Sequence, residues 1–248
     1  FLIGGEVASL FGWRWSFITA GLGCFAGTMV IAFVLPRAGS RPPPTPVLAA
    51  FGQLLRNRRV VGYMISYFGY AWEIFAFRVW VVAFLFFSQA PNVLGDEVLS
   101  PTIWATLFAL VGVAANMAFG ELAIAFDRRR VVISVSIVSL TAGVSVGMLS
   151  GAGYGVVIGI CFAFAMLTSG RNAPTNAGLV AAAPEQLRGA AMALHATIGY
   201  AGGILGPLAA GIALDAAGGI GQADGWMAAF FAIAIGAVIS ALALLCLN

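Results

Sequence analysis

Charge is what this 248-residue sequence has least of. Asp, Glu, Lys and Arg make up 8% of it, and lysine is absent altogether. A soluble domain carries about 25% charged residues. With 61% of the residues hydrophobic, a water-soluble fold could not bury its apolar surface and keep a polar skin. An ordinary cytosolic enzyme, a nucleic-acid binder and a disordered chain are thereby excluded, and a polytopic membrane protein remains. Histidine occurs once. The three cysteines, Cys24, Cys161 and Cys246, lie far apart in apolar runs, too isolated for a disulfide framework or a metal site. No G-x-x-x-x-G-K-[ST] loop is present, so nothing points to a nucleotide-driven pump, and nothing calls for a cofactor. The alternating segments of a membrane barrel are missing too.

What is present is a series of long apolar runs. A hydrocarbon layer of about 30 Å needs roughly twenty helical residues at 1.5 Å each. Six complete runs meet that length, at 14–35, 60–87, 101–125, 131–150, 153–181 and 187–213, and a seventh closes the chain at 225–247. Residues 1–12 read as the outgoing end of an earlier span. The expected fold is therefore all-α: a polytopic membrane helix bundle.

The charges alternate with the spans. Segment 36–59 carries Arg37, Arg41, Arg56, Arg58 and Arg59 and no acid, whereas 88–100 carries Asp96 and Glu97 and no base. Next come Asp127 with Arg128, Arg129 and Arg130, then an uncharged connection near 151. Glu185 and Arg188 follow, with Arg171 shortly before them, and last come Asp215 and Asp224. Arg14 falls on the poorer side and Arg78 within a span. The positive-inside rule puts the Arg-rich connections, and the C-terminus, in the cytoplasm. An Ala-, Gly- and Arg-rich chain without lysine fits a GC-rich bacterial genome, hence a bacterial inner membrane.

Segment 36–59 is the only long connection. "PRAGSRPPPTP" reads as a Pro-rich linker, and "VLAAFGQLLRNRR" as an amphipathic helix at the cytoplasmic interface. It divides the chain into the end of a first bundle (1–35), a linker (36–59) and a six-helix bundle (60–248). The opening "GGEVASLFGWRWSFITAG" is echoed by "GPLAAGIALDAAGG…GWMAAFFAIA", with Gly12 and Trp13 answering Gly225 and Trp226. Two related modules, one incomplete, imply a duplicated fold whose first copy is mostly absent. The N-terminal half of the same chain is then an expected partner.

These motifs together resemble the major facilitator superfamily of secondary transporters. "GWRWSF" after a Gly-Gly helix end resembles the junction of the fifth and sixth spans, and the basic linker resembles the loop between the two halves. "GELAIAFDRRR" (Gly120 to Arg130) resembles the cytoplasmic signature loop G-x-x-x-D-R-x-G-R-R. "RGAAMALHATIGYAGGILGPLAAGIALD" (Arg188 to Asp215) resembles the tenth-to-eleventh connection and the glycine-rich eleventh span. The resemblance implies that the chain runs from the end of the fifth span through the twelfth. In the signature loop Ile124 and Ala125 replace the usual Asp-Arg and Asp127 the usual Gly, which weakens the acid–arginine latch. Arg128, Arg129 and Arg130 then serve as topology anchors.

Charges inside hydrocarbon each cost about 2.5–3.5 kcal/mol at mid-span on insertion scales. Glu73 sits midway along its span. Tyr63, Ser66, Tyr67, Tyr70, Glu73, Phe77 and Trp80 recur at helical spacing, as the wall of a central cavity would. Glu73 could bind a cationic group, carry a proton, or bond to a neighbouring helix. Arg78 lies about 140° round the helix from Glu73, too far for a direct pair, and about 7.5 Å nearer the outside. It either snorkels or meets an anion. Arg171, Asn172 and Asn176 fall where "SGRNAPTN" interrupts a span. They form either a substrate site at a broken helix or a kink near the cytoplasmic surface with Arg171 as anchor. Asn116 is a candidate for a bond between helices or to substrate. Gly199, Gly202, Gly203, Gly206 and Pro207 form a face suited to close helix packing, on which His195 is read as a hydrogen-bonding residue in preference to a proton relay. Trp72, Trp104 and Trp226 are read as interface anchors or cavity lining.

The expected function is secondary active transport of a small solute by alternating access, with a proton as first choice of coupling ion and lipid as surroundings. Two rivals stand beside it. A membrane-embedded enzyme needs clustered ionisable residues, which the scattered acids and single histidine do not provide. A non-transporting sensor or scaffold could share the fold.

Overall fold

The computed structural model describes residues 2–34, 47–89 and 99–247. The Pro-rich start of the linker, with Arg37 and Arg41, and the acidic connection holding Asp96 and Glu97 lie outside them. Among the described residues there is no strand. Ten α-helices follow in order: α1 Leu2–Phe11, α2 Trp13–Val34, α3 Val47–Arg56, α4 Arg58–Gln89, α5 Pro101–Ala125, α6 Arg128–Met148, α7 Tyr154–Gly170, α8 Asn172–Ala182, α9 Arg188–Ala216 and α10 Ala223–Cys246. A 3₁₀ turn at Glu185–Leu187 precedes α9. Seven segments are long and apolar enough to cross a membrane: α2, α4, α5, α6, α7 with α8, the 3₁₀ turn with α9, and α10. Each matches one of the runs expected from the sequence, so the chain is an all-α polytopic bundle.

Local chemistry sets the helix ends. Ser100 caps α5 by accepting from the Ile103 amide, with Pro101 in the first helical position. Asp127 caps α6 by accepting from the Arg130 amide at 3.0 Å. Gly12, at φ 88°, makes the turn from α1 into α2, and Gly218 and Gly219, at φ 113° and 80°, end α9. Left-handed backbone of this kind favours glycine.

α4 is the hub. It packs along α9 on one side and α10 on another, and touches α7 and α8. One apolar cluster joins Phe77, Phe84, Phe108, Phe164, Trp226 and Phe230 in the half of the bundle away from the arginines. A second joins Leu54, Val60, Met64, Leu179, Leu187 and Leu244 at the Arg-rich end. Ala50 and Leu54 of α3, one helical turn apart, are buried there. Ser16 Oγ in α2 donates to the Gly4 carbonyl of α1 at 2.8 Å, and no residue of α2 is buried.

One expectation is corrected. Trp226 neither anchors at an interface nor lines a cavity: it is fully buried, packs on Phe84 and Trp80, and donates from Nε1 to the Ile220 carbonyl at 2.9 Å. The two Gly-Trp pairs also differ. Gly12 is a left-handed turn before an exposed Trp13. Gly225 is helical, and its missing side chain lets α10 meet the backbone of Gly219.

Candidate functional site

At mid-depth in the bundle α4, α6 and the α7–α8 junction meet around two opposite charges. Glu73 of α4 and Arg171 at the junction form an ion pair with both side chains fully buried. Glu73 Oε1 accepts from Ser139 Oγ of α6 at 2.8 Å, and Oε2 accepts from Arg171 Nη2. Arg171 Nη1 donates to Ser136 Oγ at 3.0 Å. Its Nε has no hydrogen-bond partner among the described residues.

Hydroxyl groups extend the pair in two directions. Ser139 contacts Thr168 Oγ1 of α7 at 3.2 Å. Its single hydrogen is already given to Glu73, so Thr168 donates to it. On the other side Ser136 lies 3.3 Å from Ser240 of α10, and Ser240 lies 2.7 Å from Ser66 of α4. Ser136 also reaches the Val132 carbonyl at 2.7 Å. One hydroxyl hydrogen cannot serve both contacts, so with it on Val132 the run reads Ser66 to Ser240 to Ser136. The result is a continuous polar thread through an otherwise apolar core. Every side chain in it is fully buried.

The helix interruption delivers Arg171 to this point. Pro174 has no amide hydrogen for the Gly170 carbonyl, which ends α7. The freed Ala173 amide finds Asn116 Oδ1 of α5 at 2.8 Å. Thr175 Oγ1 donates to the Arg171 carbonyl at 2.7 Å, bracing the other side. Gly170 lets α7 lie directly on the Phe119 ring of α5. Asn116 therefore holds the break open. Replacing it with leucine is expected to strand the Ala173 amide and cost about 1–3 kcal/mol. A thermal unfolding scan of the purified protein checks this, and Asn116→Asp, which keeps the acceptor, should retain most of the lost stability.

Beside the pair lies a shelf of rings and amides in which Tyr70 and His195 are buried and Tyr67, Asn172 and Asn176 half-buried. Tyr67 stacks on Tyr70 at 5.3 Å and on His195 of α9 at 3.9 Å between ring centroids. His195 Nε2 meets Asn176 Oδ1 at 3.1 Å, and Asn176 Nδ2 donates to Asn172 Oδ1 at 2.7 Å. An amide oxygen can only accept, so the histidine proton sits on Nε2. Tyr67, Tyr70, Asn172 and Asn176 are thus gathered in one place next to Glu73 and Arg171. Arg78, farther along α4, has an exposed side chain and borders a small crevice with Phe77, Phe108 and Ser169.

The tyrosine-rich stripe of α4 turns to several neighbours, and only its Tyr63 end borders the cavity at the Arg-rich end. Ser66 turns to α10, Tyr67 to α9, Glu73 to α6 and the α7–α8 junction, and Phe77 to Phe108 and Phe164. Arg171 is likewise withdrawn from the set of surface arginines, because it is buried and paired. Of the hydroxyl members of the thread, Ser66 belongs to the periodic stripe of α4, whereas Ser136, Ser139, Thr168 and Ser240 carry no such signal and sequence reasoning passed over them.

The glycine face of α9 meets α4. Gly202 and Gly206 lie against the backbone of Phe68 and Trp72, while Gly199 and Gly203 accommodate the rings of Tyr67 and Phe75. The Pro207 carbonyl accepts from Trp80 Nε1 at 3.0 Å. In the stretch that resembles the signature loop, Gly120 near the end of α5 faces Ala173, Asp127 caps α6, and Arg129 Nε in the first turn of α6 donates to the Leu244 carbonyl at 2.9 Å. None of Gly120, Asp127, Arg128, Arg129 or Arg130 touches the buried pair.

A family model of the Major Facilitator Superfamily matches residues 84–247, from the end of α4 through α10. The chain belongs to that superfamily. It is accordingly an integral membrane protein of a transporter family that handles small solutes. The match covers Arg171, Ser136, Ser139, Thr168 and Ser240 but starts beyond Glu73. No curated protein matches the chain.

Proposed function

We propose that the chain acts in proton-coupled secondary transport of a small solute by alternating access, with Glu73 and Arg171 as the coupling element. The observation that carries this reading is a fully buried ion pair at a broken helix inside a membrane-spanning bundle. Two charges there are costly compared with apolar side chains of similar size. Broken helices at mid-membrane are a recurrent site of ion and substrate binding in transporters. A proton taken by Glu73 would cancel its attraction for Arg171 and leave a free guanidinium. The helices would then have to move or a counter-group to enter, which ties proton occupancy to bundle geometry. Tyr67, Tyr70, Asn172 and Asn176 would supply the solute with stacking and amide contacts. In this reading α4 to α10 form one bundle, 36–59 is the linker, α2 belongs to the other half, and the solute passes between the halves. The Arg-rich end and the C-terminus face the cytoplasm of a bacterial inner membrane.

The test is flux in liposomes holding the full chain, with a panel of cationic, anionic and neutral aromatic solutes under an imposed pH gradient. One proton per neutral solute sustains roughly a ten-fold solute gradient per pH unit. Arg171→Met, which keeps Glu73, should remain gradient-dependent. Adding Glu73→Gln to it should leave only downhill exchange. Coupling that persists in the double variant would remove Glu73 from the mechanism. Solute binding without flux would favour the sensor reading.

A further inference from the structure

A cavity of about 790 Å³ opens at the Arg-rich end of the bundle, well apart from the buried pair. Its lining includes Arg59 at the start of α4 and Arg128, Arg129 and Arg130 at the start of α6, against a single acid, Asp127. That acid is committed to capping α6. Among the described residues no carboxylate pairs with any of the four arginines. Arg129 spends its Nε on the Leu244 carbonyl and ties α6 to the end of α10. Among the described residues Arg59, Arg128 and Arg130 are left as three cations without an ion-pair partner around one opening, with Asp127 the single carboxylate beside them. Helix ends of both signs meet here, so the excess is that of the guanidinium groups themselves.

The rest of the lining is apolar. Tyr63, Ile133 and Ala182 form part of the floor. Ile124 in the last turn of α5 and Phe126 just after it, at the edge, are 72% and 64% exposed. A free inorganic anion would use only the arginines, whereas an amphiphile would use both parts. Basic pockets between transmembrane helices near the cytoplasmic surface suit anionic headgroups, and guanidinium groups hold phosphate oxygens through paired N–H donors.

We propose that this crevice is a binding site for the phosphate of an anionic phospholipid, held by Arg59, Arg128 and Arg130, with its acyl chain against Ile124 and Phe126. The site is independent of the transport mechanism proposed above.

The experiment uses the full chain purified in a neutral detergent and titrated with phosphatidylglycerol, phosphatidylcholine or inorganic phosphate, read by thermal unfolding and by native mass spectrometry. Phosphatidylglycerol should raise the unfolding temperature and remain bound, and the other two should do neither. The triple variant Arg59→Gln, Arg128→Gln, Arg130→Gln should weaken phosphatidylglycerol binding at least about ten-fold. Arg58→Gln, an exposed arginine at the same end but outside the lining, should leave it unchanged. If the triple variant does not fold, Arg130→Gln alone carries the comparison, since that side chain is exposed. Equal binding by variant and parent, or equal loss in Arg58→Gln, would overturn the site. Stabilisation by inorganic phosphate matching that of the lipid would overturn the lipid as its occupant.

Discussion

Replacing Glu73 with leucine is expected to destabilise the bundle by about 3–5 kcal/mol, the usual cost of leaving one member of a buried ion pair alone. The loss should exceed that of the opposite single change, Arg171→Met. A guanidinium cannot give up its proton in a protein, so Arg171 without Glu73 remains a cation in an apolar interior. A lone Glu73 can become neutral by binding a proton and still accept or donate a hydrogen bond to Ser139. The double variant, with neither charge, should recover much of the stability. Its remaining deficit would come from Ser136 and Ser139, each of which loses a partner. Thermal unfolding of the four proteins in one detergent forms a double-mutant cycle whose coupling term measures the pair directly. Additive losses would mean that the two residues act independently, and the coupling role proposed for them would fall.

The spans were readable from sequence because the membrane imposes one length on all of them. Hydrocarbon thickness and helical rise together require some twenty apolar residues, and α2, α4, α5, α6 and α10 each announce themselves that way. The interruption in 153–181 was also readable, since Gly170 and Pro174 act on their own backbone. The join between Glu73 and Arg171 was not. Periodicity tells which side of a helix a residue occupies but not which helix faces it, and these two residues lie 98 positions apart. Arg171 was the harder case, since its nearness to Arg188 along the chain resembled one more surface arginine. The chain breaks at Arg171 and then continues for a further eleven helical residues, and those extra turns set Arg171 well inside the bundle. Trp226 misled for a related reason: aromatic residues near a span end satisfy the interface rule, but here the turn at Gly218 and Gly219 folds the first turn of α10 back into the core.

Adding a single methyl group to Gly206 should destabilise the bundle by forcing two helices apart. At Gly206 a Cβ would collide with the backbone of Trp72, and at Gly202 with the Phe68 carbonyl. Neither neighbour is the tip of a flexible side chain, so α9 and α4 would have to separate. Without a hydrophobic drive between helices in lipid, close van der Waals packing and interhelical hydrogen bonds hold such an interface, and small residues permit the approach. Separation would also pull Pro207 from Trp80 and His195 from Tyr67. Gly206→Ala is expected to cost about 1–3 kcal/mol, the range for forced overpacking, and the pair Gly202→Ala with Gly206→Ala should leave little folded protein. Gly189→Ala supplies the control within the same helix. Its Cβ would meet open space, so the better helix propensity of alanine, about 1 kcal/mol, should leave stability unchanged or slightly raised. Size-exclusion profiles and unfolding temperatures of these variants in detergent decide the matter. If Gly206→Ala melts with the parent, α9 does not lie against α4 at this depth, and the shelf formed by Tyr67, His195 and Asn176 loses its support.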